Sequence, residues 1–323
     1  MRFMRFILYG AGGIGGTIGA RLHLADYPVQ LIARGEHAEV MRSKGLHFVA
    51  PGIDERLQIP TCTHPDQIQW ADDDIVLLCM KSQHTSAALD DLRAAGVRDQ
   101  AIVCAQNGVA NEAMALRRFE HVYGMLVFLP AMFLVPGEVI TNATDVGGVL
   151  DTGIYTGGVD STVEKLTDAL TKAGFGAAPD PKVMRKKYAK LLSNVNNSLS
   201  ALTDFAEGSK EISRMLNDEA LACYKAAGID CASVDEMKAL YGTMQSVKIE
   251  EFDRPGGSSW QSAMRGTGNI EVDFLNGEIA QLGRRYGVPT PANSVCQEFA
   301  WRLSHERGKP GTVPVEALLQ AMK

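Results

Sequence analysis

The sequence predicts an α/β domain followed by a mainly helical one, and three observations carry that reading. Short apolar runs without alternation recur through the first half, separated by helix-type patterns; this is how parallel strands covered on both faces read. A glycine-rich turn joins the first such run to the first helix. After the turn segment Ala177-Ala178-Pro179-Asp180-Pro181, strand-type runs stop and helical periodicity continues with breaks to the C-terminus. At roughly 150 residues per domain, the 323 residues suggest two, expected at residues 1–180 and 181–323.

Taken in order, Arg5 to Tyr9 reads as a strand and Gly12 to Ala25 as a helix. Val29 to Ala33, Asp74 to Cys79 and Ala101 to Ala105 are further strands. From Val122 to about Tyr155 the pattern turns glycine-rich and hairpin-like, as if antiparallel strands finished the sheet. Lys182 to about Ala206 reads as one helical stretch. A cleft between two such domains is a common place for a small-ligand site.

Composition narrows the function classes. Apolar residues make up 46% and charged residues 22%, with a formal net charge of −6. That balance suits a globular chain and lacks the positive charge of a general phosphate-backbone binder, so no nucleic acid partner is expected. A local basic pocket for a small anion stays open. No apolar run approaches the ~20 residues of a membrane helix. Phe6 to Tyr9 is too short for a signal h-region, so no membrane partner is expected and the cytoplasm is the expected compartment. The six cysteines form no CxxC pair and no two histidines stand at i, i+4, which leaves a metal site without support and reads the thiols as reduced and buried.

Gly10-Ala11-Gly12-Gly13-Ile14-Gly15 fits G-x-G-x-x-G between a strand and a helix, the context in which the pattern marks a dinucleotide-binding Rossmann unit. The first glycine permits the turn, the second lets backbone approach a pyrophosphate, and the third lets helix and strand pack closely. The alternative is a ligand-free strand-to-helix turn. NAD-binding chains usually carry an acid at the end of the second strand. Here Leu31-Ile32-Ala33-Arg34-Gly35 has none, so Arg34 is expected on a 2′-phosphate and NADP(H) is the expected cofactor. A solvated surface arginine is the alternative. Lys81 and Asn107 follow the third and fourth of these strands, where an open α/β sheet faces its ligand. Taken singly, each is equally well ordinary turn chemistry.

In the second half, Lys190, Asn194 and Asn197 fall within about 60° of one another at ~100° per residue on a continuous helix, with Ser198 at the edge of that face. Several asparagines are poor helix material, which favours a face addressing a polar ligand over a solvated stripe. Ser259 lies in a serine-rich loop, where its alternative role is a helix N-cap. Glu271 reads as the start of a helix whose apolar stripe runs Leu275, Ile279, Leu282, Tyr286; its alternative role is to complement the helix dipole.

With these motifs in order, and with Ser258-Ser259-Trp260-Gln261, Ile270-Glu271-Val272-Asp273-Phe274-Leu275-Asn276-Gly277 and Gly287-Val288-Pro289-Thr290-Pro291-Ala292-Asn293 after them, the chain resembles the ketopantoate reductase (2-dehydropantoate 2-reductase) family over nearly its whole length. The resemblance implies a Rossmann domain and an all-α C-terminal domain like that of 6-phosphogluconate dehydrogenase. It implies NADPH-dependent reduction of a small 2-oxo acid, in the family's named case ketopantoate to pantoate in pantothenate biosynthesis. By position it implies Lys190 as the catalytic lysine and general acid, Glu271 as the acid near the reacting centre, and Asn107 as the asparagine near the nicotinamide. Lys81 falls on the cofactor side, Arg34 on the 2′-phosphate, and Asn194 and Ser259 on substrate. Two positions depart from the family pattern. Its second helix asparagine, eight residues after the lysine, is here Ser198, with Asn197 one earlier; either can stand in for it. The asparagine expected three residues before Ser259 is Gly256. Both touch the substrate side, so a same-fold reductase of another 2-oxo acid or an imine, as in opine-type enzymes, is the nearest alternative. A non-catalytic NADP-binding sensor would keep the glycine loop and lose the polar constellation. A homodimer is compatible with a helical second domain of this kind, though no interface signature stands out.

Overall fold

A computed structural model describes residues 4–144, 146–245, 247, 257–264, 266 and 270–323. Gly256 lies outside the described residues. The strands among them are β1 (Phe6–Tyr9), β2 (Val29–Ile32), β3 (Leu46–Ala50), β4 (Ile53–Leu57), β5 (Thr61–Cys62), β6 (Ile75–Leu78), β7 (Ala101–Cys104), β8 (Val122–Met125), β9 (Ala131–Met132), β10 (Glu138–Thr141) and β11 (Thr152–Ile154). They form two sheets. The larger has the order β11-β8-β7-β6-β1-β2-β5 and the smaller β4-β3-β10-β9. In the larger sheet every neighbouring pair is parallel except β11 with β8.

The lack of alternation in the sequence has a direct structural cause. Phe6 and Leu8 of β1 enter one apolar core and Ile7 and Tyr9 the other. Val76 and Leu77, and Ile102 and Val103, divide the same way. Each strand is therefore buried on both faces, and the sheet is the Rossmann-type layer that the sequence predicts. The helices α1 (Gly13–Leu24), α2 (Gly35–Lys44), α3 (Thr85–Ala94), α4 (Asn111–Leu116) and α5 (Ser161–Lys172) belong to this unit.

The hairpin-like stretch after Val122 behaves differently from the expectation. β8 extends the sheet in parallel and only β11 closes it antiparallel. β9 and β10 leave it and build the smaller sheet with β3 and β4. The β3–β4 hairpin was not readable as strand because β4 spells Ile53-Asp54-Glu55-Arg56-Leu57, with its three charged residues facing solvent. The Pro51-Gly52 turn between them, with Gly52 at φ +77, was the available signal.

The second unit holds Asn107–Ala110, residues 185–233 and the described residues from Gly257 onward. Its helices are α6 (Val183–Asn194), which starts at the end of the first unit, α7 (Asn196–Thr203) and α8 (Ser209–Ala227). α9 (Val234–Tyr241) belongs to the first unit; there Tyr241 stacks on Phe128 with ring centroids 3.9 Å apart. α10 (Ser258–Met264), α11 (Asn276–Tyr286), α12 (Pro291–His305) and α13 (Val315–Ala321) complete the second unit. No described helix is long and apolar enough to cross a membrane.

Asp160 fixes the start of α5 in the α/β unit. One carboxylate oxygen accepts the Thr162 and Val163 amides as an N-cap of α5, and the other accepts the Tyr123 hydroxyl at 2.8 Å. Asp160→Ala is expected to lower unfolding free energy by about 1–2 kcal/mol, read as a reduced urea midpoint with an unchanged m-value.

Candidate functional site

In the α/β unit the site is set by backbone approach at the carboxyl end of β1. Gly10 sits at φ +102, and a Cβ there would meet the Met80 amide nitrogen at 2.7 Å. A Cβ on Gly15 would run into the Gly10 carbonyl oxygen and lie 2.8 Å from Cys79 Cβ. Both glycines are demanded by the fold itself. Gly12 is not: it has φ −71 and ψ −158, and a Cβ there would meet only the Phe133 ring at 3.6 Å, an ordinary contact. Nothing inside the protein requires glycine at this position, and Gly12, Gly13 and Ile14 are partly exposed. Gly16 N–H donates to the Gly12 carbonyl at 2.7 Å, which closes the first turn of α1 and leaves the amides before it without an intrahelical acceptor. A loop that is open where its own packing does not demand glycine, at a helix start, fits a pyrophosphate.

Cations gather beside this loop. Arg34, exposed, is the residue from which α2 starts after β2. Lys81 opens the 3₁₀ turn Ser82–His84 after β6. Burial lowers the His84 pKa, and the nearby Arg34 and Lys81 charges lower it further. Arg34 and Lys81 therefore share one electropositive neighbourhood with His84, a residue the sequence did not single out. The Tyr9 hydroxyl in the same region donates to Asp91 at 3.1 Å; burial foremost, and then Asp91, raise its pKa.

Behind the strand ends lies a buried polar network. The Gln106 amide donates to the Met80 carbonyl and to the Thr85 hydroxyl, both at 2.8 Å. Thr85 donates to Asn111 at 2.8 Å, and Asn111 donates to Ser82 at 3.1 Å. This ties the Lys81 turn to the end of β7. Gln106 is not among the residues that the sequence singles out, although it directly precedes Asn107. Asn107 clusters with the helical unit, where a Cβ on Gly108 would stand 3.0 Å from the Phe274 carbonyl oxygen.

In the helical unit, Lys190 is half-buried and Asn194 buried on α6. The single helix expected over 182–206 breaks at Val195, between α6 and α7. Val195 itself keeps right-handed helical dihedrals (φ −61, ψ −23), and Asn197 and Ser198 stand beyond it on α7. The break has a visible anchor: the Val195 carbonyl accepts the Asn276 side chain and the Ser198 hydroxyl, each at 3.0 Å. Asn276 also donates to Asn293 at 3.1 Å, and Asn293 donates to Glu219 at 2.8 Å. Glu219 accepts the Ala292 and Asn293 amides at the start of α12 as well. Asn276 and Asn293 are wholly buried, so this chain is an internal strut rather than a ligand face.

Asn197 approaches α10: a Cβ on Gly257 would meet its side-chain oxygen at 3.1 Å. Ser259 is buried on α10, inside the helix rather than at its cap. Glu271, half-buried, is not in an α-helix. It precedes the 3₁₀ turn Val272–Phe274, and α11 begins only at Asn276. The backbone at Leu275 (φ −116, ψ −85) interrupts the helical path, so Glu271 does not start the helix that carries the stripe Leu275, Ile279, Leu282, Tyr286. No group of three or more His, Cys, Asp or Glu able to hold a metal ion occurs among the described residues.

Comparison with known proteins decides the family. A family model described as ketopantoate reductase PanE/ApbA matches residues 6–151, and the model of its C-terminal part matches residues 182–300. The chain belongs to the ketopantoate reductase family. The 2-dehydropantoate 2-reductase of Pyrococcus horikoshii is 27% identical over 293 residues, covering 90% of this chain and 94% of that protein. The 2-dehydropantoate 2-reductase of Archaeoglobus fulgidus is 26% identical over 302 residues, covering 91% and 95%. The crystal structure of a PanE/ApbA family ketopantoate reductase from Ralstonia eutropha aligns with TM-score 0.79 and 26% identity over 94% of this chain and 99% of that one. A D-mandelate dehydrogenase solved with NADH and anilino(oxo)acetate shares the fold, with TM-score 0.80 at 21% identity over 94% and 99%. This ketopantoate reductase family member is thus an oxidoreductase by family.

The two classes of glycine in the loop separate experimentally. Gly15→Ala is expected to cost about 3 kcal/mol or more, because backbone cannot yield to the added atom. Gly12→Ala is expected to leave stability within about 1 kcal/mol while weakening nicotinamide-dinucleotide binding about tenfold or more, because the added Cβ blocks close backbone approach. Chemical denaturation and a fluorescence titration with NADPH read the two effects.

Proposed function

We propose that the chain reduces a 2-oxo acid with NADPH, ketopantoate to pantoate being the leading case, as a cytoplasmic enzyme of pantothenate biosynthesis. The observation that carries the reading is the loop Gly10–Gly15, open over Gly12 beside the cations Arg34 and Lys81. Family membership and the shared name of the relatives support it. Gly12, Gly13 and Ile14 hold the pyrophosphate through backbone amides. Arg34 pairs with the 2′-phosphate, with no acid at the end of β2 to favour a bare ribose. Lys81 and Asn107 serve the cofactor side.

The bound nicotinamide supplies a hydride to the carbonyl carbon of the oxo acid. As the C–H bond forms, negative charge develops on the carbonyl oxygen. The Lys190 ammonium stabilises that charge and transfers a proton to the oxygen, giving a 2-hydroxy acid; the neutral amine regains its proton from solvent. Glu271 orients Lys190 or the nascent hydroxyl. Asn194, Asn197 and Ser259 hold the carboxylate and remaining oxygens of the substrate.

A second reading, reduction of a different branched 2-oxo acid, is favoured by one observation. The Ser198 hydroxyl is buried and donates to Val195, so the position eight residues after the lysine offers no carboxamide to substrate. Absorbance at 340 nm with NADPH and a panel of 2-oxo acids separates the readings: ketopantoate is expected to give the highest kcat/KM. Lys190→Ala is expected to lower kcat by about 10²–10⁴-fold. Arg34→Ala is expected to raise the KM for NADPH by about tenfold, on the order of one charge-assisted pair, and to leave that for NADH unchanged. Turnover by Lys190→Ala within tenfold of the parent overturns the general-acid assignment, and an unchanged KM for NADPH in Arg34→Ala overturns the phosphate assignment.

A further inference from the structure

His37 lies in the first turn of α2, three residues after Arg34, and is buried although it is polar and titratable. Both ring nitrogens are engaged. The Gly137 amide donates to Nδ1 at 2.7 Å, and Nε2 stands 2.7 Å from the Ala11 carbonyl oxygen. An amide can only donate, so Nδ1 is the unprotonated nitrogen and Nε2 carries the hydrogen given to Ala11. The ring is therefore the neutral Nε2–H tautomer, and burial lowers its pKa in the same sense. The imidazole also packs on Phe133, centroids 4.4 Å apart, the ring that flanks Gly12.

Ala11 lies between the first two glycines of the loop. The Ala11–Gly12 peptide is trans and planar, so its N–H points opposite to its carbonyl. Fixing the Ala11 carbonyl on His37 therefore turns the Gly12 amide away from the imidazole and sets the plane from which α1 starts. Gly137, the other partner, is itself fixed: its carbonyl accepts the His47 amide of β3 at 2.8 Å, and its φ is +79. One side chain thus links the glycine loop, the start of the helix that follows Arg34, and the turn before β10.

We propose that His37 is a positioning residue for the dinucleotide, clamping the Ala11–Gly12 peptide so that the pyrophosphate loop and the Arg34 end of the site keep a fixed register. This rests on the reading of the loop as an NADPH site. His37 touches no substrate; it acts through the orientation of the Ala11–Gly12 peptide. Its loss therefore raises the cost of binding the cofactor without altering the chemistry that follows.

Three variants test the clamp. H37F keeps a ring against Phe133 and removes both hydrogen bonds. H37Q can still donate to Ala11. H37N is too short to reach Ala11 while still able to accept from Gly137. Each is checked for folding by circular dichroism and titrated with NADPH by calorimetry, and KM for NADPH and kcat are measured with the best 2-oxo acid. H37F and H37N are expected to raise Kd and KM for NADPH about tenfold, the order expected when a buried carbonyl loses its donor. H37Q should lie within about threefold of the parent, and kcat at saturating NADPH should change less than about twofold in all three, since only binding is altered. If H37F does not fold, the contrast between H37N and H37Q still decides. Parental affinity in H37N, equal impairment of H37Q and H37N, or a fall in kcat at unchanged KM overturns the clamp. Absence of NADPH binding to the parent overturns the cofactor reading and the clamp with it.

Discussion

The α/β unit depends on one close approach: the backbone of Gly10 and Gly15 against each other and against Cys79 and Met80. No side chain larger than hydrogen fits in either place. Because the backbone can come this near, α1 starts directly over the end of β1 and its first amides face outward instead of being separated from the sheet by a layer of side chains. The positions of Arg34 and Lys81 follow, since β2 and β6 are the two strands that pair with β1. Gln106 then holds the turn after β6 from behind by donating to the Met80 carbonyl and the Thr85 hydroxyl.

The helical unit solves a different problem. A straight helix through Lys190 and the asparagines would place them on one stripe. Between α6 and α7 the Val195 backbone stays right-handed helical, and its carbonyl is taken up by the side chains of Asn276 and Ser198. A buried acceptor left without a donor is costly; here the Asn276 amide donates to the Val195 carbonyl and to Asn293, and Asn293 donates to Glu219. Lys190 and Asn194 stand before Val195 and Asn197 after it.

Much of this was legible in the amino-acid order. The parallel sheet could be read because Phe6-Ile7-Leu8-Tyr9 and its counterparts are apolar at every position, which only double-sided burial explains. The glycine loop could be read because strand, turn and helix stand in the required order. The smaller sheet could not, since Asp54, Glu55 and Arg56 give β4 a solvated loop's composition. The placement of Glu271 could not either: it follows from the local break at Leu275, and an angle carried at ~100° per residue loses its meaning across a break. His84 and His37 escaped because a lone histidine has no pattern; only its three-dimensional neighbours give it a role.

The account joins two claims: that the loop at the end of β1 carries a nicotinamide dinucleotide, and that the Lys190 amine protonates the reduced carbonyl. A crystal structure of the chain with NADPH and ketopantoate bound together tests both at once. The expected result is pyrophosphate oxygens on the Gly12–Ile14 amides and Lys190 Nζ within hydrogen-bond distance of the oxo oxygen. A pyrophosphate seated elsewhere, or a Lys190 amine turned away from the substrate with another donor on that oxygen, would contradict it.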